Sequence, residues 1–144
     1  LVLEHEGVRY IDDSKATNAH AAAASLSSFE SVVWILGGLL KGVDISDLIT
    51  KFAKRIRTAI VIGVDRKEIL QGFSELAPGV KVVEVQDGDD VMLRAVQLAS
   101  TTAVAGDVVL LAPAAASMDQ FASYQDRGKQ FADAVSKTVG GSNG

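Results

Sequence analysis

Three short apolar runs, at residues 32–36, 58–62 and 108–111, with a partly alternating one at 80–85, constrain this chain more than any other feature of it. Turn residues border them: Gly37-Gly38, Gly63, Pro78-Gly79 and Gly106-Asp107. Short runs apolar at consecutive positions are strands covered on both faces. Between them the pattern switches to helical spacing. Ile45, Leu48, Ile49 and Phe52 recur at that spacing, with Asp44 placed as the cap. Asp65-Arg66-Lys67-Glu68 reads as a capping box that opens a helix through Ile69, Leu70 and Phe73. Val91, Ala95 and Leu98 share one helical face with Met92, Val96 and Ala99 beside them, and residues 124–139 read as the last helix. An alanine-rich helix is expected over 18–26, capped by Thr17 or Asn18. Ahead of all these, residues 1–3 and 8–11 flank Glu4-His5-Glu6-Gly7, a short hairpin with glycine in its turn.

Strand and helix in repeated alternation give an α/β fold. The expectation is an open, mostly parallel, Rossmann-like sheet with helices on both faces, preceded by the short β-hairpin. Composition agrees: 48% of the 144 residues are apolar but only 6% aromatic, so the core must be built from Val, Ile, Leu and Ala. One domain is expected over residues 1–139, with 140–144 a solvated tail. A net charge of −4 speaks against nucleic acid or an anionic membrane as partner. No apolar stretch is long enough to span a bilayer, and there is no cysteine for a disulfide or thiolate metal site. The chain opens on Leu1-Val2-Leu3 without Met, as though it were a piece of a longer protein.

In sheets of this kind ligands bind beyond the carboxyl ends of the strands. This sequence places Asp12-Asp13-Ser14-Lys15 with Thr17-Asn18 there, then Gly37-Gly38 with Lys41, Gly63 with Asp65, and residues 113–119. Capping alone explains Thr17 and Asn18, but not two aspartates and a lysine at a strand end. Asp12 and Asp13 could hold magnesium, though a bare pair of aspartates is common. Lys41 beside glycines is a sensible carboxylate receptor, and a solvated lysine after a turn is the plainer alternative. Ser117 suits a helix N-cap, with Gln120 reaching back, and a helix N-terminus is also an anion site. Arg127 is either a supporting residue of this edge or a surface cation on the last helix.

Several chemistries lack their residues. His5 and His20 are the only histidines and have no metal-ligand spacing, so no metal site is expected; His5 reads as a solvated turn residue. Ser117 has no Gly-x-Ser-x-Gly elbow around it, which argues against a hydrolase triad. Neither a Gly-x-Gly-x-x-Gly dinucleotide fingerprint nor a phosphate-binding Gly-Lys-Ser/Thr loop is present.

The stretch Asp13-Ser14-Lys15-Ala16-Thr17-Asn18 resembles the Asp-Ser-Lys-Ala-Thr-Asn signature of the D-glutamate-adding Mur ligases. Gly37-Gly38-Leu39-Leu40-Lys41-Gly42 and residues 112–121, continued by 124–131, are similar to the next two segments of that family's C-terminal domain, in order. Ala112 and Ala115 stand where many members have Ser and Cys, and Tyr124 where Phe is common.

The resemblance implies the last of three domains of an ATP-dependent cytoplasmic ligase of peptidoglycan synthesis. That ligase joins D-glutamate to UDP-N-acetylmuramoyl-L-alanine through an acyl phosphate. It implies that Thr17, Lys41, Ser117 and the backbone at Met118 and Tyr124 receive D-glutamate. Asp13 would touch the nucleotide ribose, and Lys15 would lie towards the reacting phosphate as the catalytic cation. Asn18 and Arg127 would support them. The amino-terminal domain would hold the UDP-sugar and the central domain would bind most of ATP and Mg2+, so residues 1–144 alone are expected to be inactive. The family's His-Arg-x-Glu element would lie just before Leu1. Two alternatives remain: a non-enzymatic Rossmann-like nucleotide- or metabolite-binding module, and a sister ligase of the folylpolyglutamate synthetase type.

Overall fold

The computed structural model describes residues 2–37, 45–63, 66–85, 90–114 and 123–140. Within them the chain runs β1 (Leu3–His5), β2 (Val8–Asp12), α1 (Ala19–Leu26), β3 (Val32–Leu36), α2 (Ser46–Phe52) and β4 (Ile56–Val61). It continues through α3 (Lys67–Leu76), β5 (Lys81–Glu84), α4 (Val91–Thr102), β6 (Val108–Leu111) and α5 (Tyr124–Val135), ending in a π-helical turn, Ser136–Gly140. The strands form one sheet in the order β1-β2-β6-β3-β4-β5. Only the β1–β2 pair is antiparallel, with Leu3 opposite Tyr10 and His5 opposite Val8; the other four pairings are parallel. The α/β fold with its leading hairpin is therefore as the sequence indicates.

Successive side chains of a strand point to opposite faces, which divides the core into two layers. Val32, Trp34 and Leu36 of β3, with Val108 and Leu110 of β6, pack under α1, α2 and α3. Val33, Ile35, Val109 and Leu111 pack under α4 and α5. Every residue of β3 and β6 is buried, which is why those runs carry no polar alternation. The edge strand β5 is only partly covered, with Lys81 and Glu84 exposed on either side of the half-buried Val82 and Val83. Trp34 meets Phe73 edge-on at 6.3 Å, and its indole N–H donates to the Ala112 carbonyl at 2.7 Å. Tyr10 is buried on the other face; burial, and secondly the charge of Glu6, push its phenol above the ordinary value.

Local details differ from expectation in several places. The strand expected over 58–62 is β4, two residues earlier at its start and one at its end. Ile45 holds the cap position of α2 without a side-chain bond, while Asp44 lies outside the described residues. Asp65 of the expected capping box lies outside the described residues, and Arg66 holds the cap position of α3 without a side-chain cap bond. That guanidinium instead donates to the carbonyls of Gly63, at 2.7 Å, and Val85, tying the ends of β4 and β5. His5 is not in the turn but closes β1, with Nε2 3.9 Å from Glu6 Oε1 and a largely covered side chain. On α4 the buried set is Val91, Met92, Ala95, Val96 and Ala99, and Leu98 is only partly covered.

Candidate functional site

Strand β6 sits between β2 and β3, whose following helices α1 and α2 lie on the opposite face from α5. The chain thus leaves adjacent strand ends towards opposite faces, which opens a crevice at their carboxyl edge. A cleft of about 440 Å³ lies here, lined by Asp12, Asp13, Ser14, Lys15 and Gln125.

Backbone bonds fix its floor. The Asp13 N–H donates to the Leu111 carbonyl at 2.8 Å, carrying the β2–β6 pairing one residue beyond the strand. Ala16 N–H donates to Asp13 at 2.9 Å and Thr17 N–H to Lys15 at 2.8 Å, so residues 13–17 form a tight double turn. The Ala114 N–H then donates to the Ala16 carbonyl at 2.8 Å, and Gly37 N–H to Pro113 at 3.0 Å. These two bonds join the strand ends of β2, β6 and β3. The junction demands unusual backbone: Ala114 adopts φ +60°, left-handed for a residue with a Cβ, at a cost of roughly 1–2 kcal/mol. At Gly37, φ is +125° and an added Cβ would lie 2.0 Å from the Ile62 carbonyl oxygen, so only glycine fits.

The side chains divide between holding the loop and facing the cleft. Asp12 Oδ1 accepts from the Ser14 N–H at 2.9 Å, an Asx turn. Asn18 Oδ1 accepts from the Ala21 N–H at 2.9 Å and so caps α1, the structural role weighed for it from sequence. Lys15 is exposed, Asp13 and Thr17 are half-buried, and Ser14 is buried. Arg127 is not a surface cation: it is fully buried, and its Nη2 donates to the Ser14 carbonyl at 3.0 Å. Ser123 caps α5 by accepting the Asp126 N–H at 3.1 Å.

Of the residues singled out from sequence, the structure brings Asp13 and Lys15 to one cleft, with Thr17 on the same loop and Arg127 beneath it. Tyr124 opens α5. Lys41, Ser117 and Met118 lie outside the described residues. Sequence reasoning missed Gln125 on the cleft rim and Gly128, one turn further along α5. A glycine inside a helix costs up to about 1 kcal/mol relative to alanine, which was the available signal of close packing. Among the described residues no group of three or more His, Cys, Asp or Glu side chains is arranged to hold a metal ion. No described helix is long and apolar enough to cross a membrane.

Comparison with known proteins bears on this edge. Residues 1–115 match the family model described as "Mur ligase, glutamate ligase domain". The chain is 53% identical over 144 residues to the UDP-N-acetylmuramoylalanine–D-glutamate ligase of Leifsonia xyli subsp. xyli, covering 98% of this chain and 28% of that protein. The similarly named proteins of Bifidobacterium longum subsp. infantis and Streptomyces avermitilis are 52% and 53% identical, each over 93% of this chain and 29% of theirs. The chain thus spans less than a third of the length of these relatives.

Proposed function

The chain belongs to the Mur ligase family through its glutamate ligase domain, and from that membership we propose that it positions D-glutamate within a longer, ATP-dependent, cytoplasmic ligase. That ligase would extend UDP-N-acetylmuramoyl-L-alanine in peptidoglycan synthesis. One observation carries the reading: the loop of residues 12–17 is held by backbone hydrogen bonds at the diverging ends of β2 and β6, with Lys15 lining the cleft. The relatives named D-glutamate ligases support the choice of amino acid.

ATP would serve as the co-substrate that phosphorylates the carboxylate to be extended. The amine of D-glutamate then forms the new C–N bond as the acyl C–O bond to phosphate breaks and the ammonium gives up its proton. Lys15 offsets negative charge that develops on the phosphoryl group, and Asp13 accepts from the ribose hydroxyls. Thr17, Lys41, Ser117 and the backbone at Met118 and Tyr124 receive the two carboxylates of D-glutamate. Holding the amine at the acyl carbon converts an encounter into a fixed geometry, which lowers the barrier by several kcal/mol. Magnesium would be held by the central domain, as the family resemblance implies.

Lys41 tests this division of labour. A charge-assisted hydrogen bond is worth about 1.5–3 kcal/mol, or roughly tenfold to more than a hundredfold. In the full-length protein, Lys41→Ala is expected to raise KM for D-glutamate or lower turnover by such a factor, with KM for ATP within a few-fold. Ser117→Ala should do the same more mildly. Equal weakening of ATP and D-glutamate by Lys41→Ala would remove the lysine from the amino-acid half of the site.

A further inference from the structure

We propose that Asp12 is a positioning residue, acting not by its charge but as the acceptor of a turn that aims Lys15, and that Gly128 and Arg127 of α5 lock that turn. The inference rests on the role proposed for Lys15 above. Both peptide groups flanking Ser14 are held: its N–H by Asp12 Oδ1 at 2.9 Å, its carbonyl by the buried Arg127 guanidinium at 3.0 Å. Lys15 follows directly, so the direction of its side chain depends on these two bonds. Gly128 sets how near α5 can come. A Cβ there would lie 2.6 Å from Asp12 Oδ2, 2.6 Å from Ser14 Oγ and 3.1 Å from Asp12 Oδ1. Those are the ends of short side chains, so an alanine could be admitted only by swinging the Asp12 carboxylate off the Ser14 N–H. The glycine is spent on this contact, since in mid-helix it otherwise only weakens the helix. Helix α5 begins at Tyr124, assigned above to D-glutamate, and the locked loop carries the residues assigned to the nucleotide. The latch therefore joins the two halves of the proposed site.

The test uses the full-length protein with ATP, D-glutamate and the UDP-sugar acceptor. Asp12→Ala and Gly128→Ala are each expected to lower kcat by about tenfold to a hundredfold through misplacement of the reacting group. Asp12→Asn keeps the accepting oxygen without the charge and should restore kcat to within about threefold of wild type, as only the hydrogen bond is needed. Because both single changes open the same turn, the double variant Asp12→Ala/Gly128→Ala should lose far less than the product of the two losses. Hydrogen exchange at the Ser14 amide reads the turn independently of any substrate. It should be at least about tenfold faster in Asp12→Ala and Gly128→Ala than in wild type or Asp12→Asn. If Asp12→Asn is as damaging as Asp12→Ala, or the two losses multiply, the latch is wrong. If wild type does not couple D-glutamate, the function proposed above fails instead, and amide exchange alone decides the latch.

Discussion

Lys15→Ala in the full-length protein is expected to lower turnover by about a hundredfold or more, the usual cost of losing a preorganised charge at a reacting centre. The melting temperature should hardly change. Lys15 is exposed at the carboxyl edge, and the loop around it is fastened by bonds that do not involve its ammonium group. Removing it leaves no buried polar group without a partner, so the fold has nothing to lose beyond a surface cation. Steady-state kinetics with thermal melts on the same preparation check both halves. A variant that melts much lower, or one that turns over within threefold of wild type, would show that Lys15 serves the fold or nothing, not the chemistry.

Asp107→Ala is expected to destabilise residues 1–144 by about 3 kcal/mol, since one buried carboxylate accepts from several donors at once. Asp107 is 2% exposed at the amino edge of the sheet. It accepts from the Ser31 hydroxyl at 2.6 Å and the Val104 N–H at 2.9 Å, and Arg57 Nε lies 2.7 Å away. Its backbone carbonyl also accepts from the Arg9 N–H at 3.2 Å. The carboxylate thus ties the β3, β4 and β6 entries together, on the side of the sheet away from the cleft. Arg57 is 44% exposed, so solvent screens that ion pair, and Arg57→Ala should cost less than about 1 kcal/mol. The two effects separate in urea unfolding curves compared at equal slope. Equal losses for Asp107→Ala and Arg57→Ala would mean that the ion pair, not the hydrogen bonds from Ser31 and Val104, holds this edge.

The contrast between the two edges of the sheet shows what could be read from residues alone. Strands β3 and β6 were legible to the residue because their burial on both faces leaves a continuous apolar run bounded by turns. The caps of α2 and α3 were not. Capping residues are chosen from sequence by local preference, whereas Arg66 is drawn to the carbonyls of Gly63 and Val85, a long-range demand. Asp107 reads as half of a Gly-Asp turn, and nothing nearby in sequence announces Ser31 or Arg57 as its partners.

At the site, the placement of Asp13 and Lys15 at the cleft was legible because they follow the carboxyl end of a strand, where such sheets open their crevices. For Arg127 a surface cation stayed open beside a supporting role, since its helix is amphipathic and its acceptor, Ser14, lies 113 residues away. Gly128 was harder still. Its sequence signal says only that something approaches closely, and the fold alone supplies Asp12 and Ser14 as what approaches.

The proposed positioning of D-glutamate is tested most directly by amide-bond formation in the full-length protein, given ATP, UDP-N-acetylmuramoyl-L-alanine and a panel of D- and L-amino acids in turn. Coupling is expected with D-glutamate and not with L-glutamate or the other amino acids. Preference for any other amino acid, or no coupling at all, would contradict it.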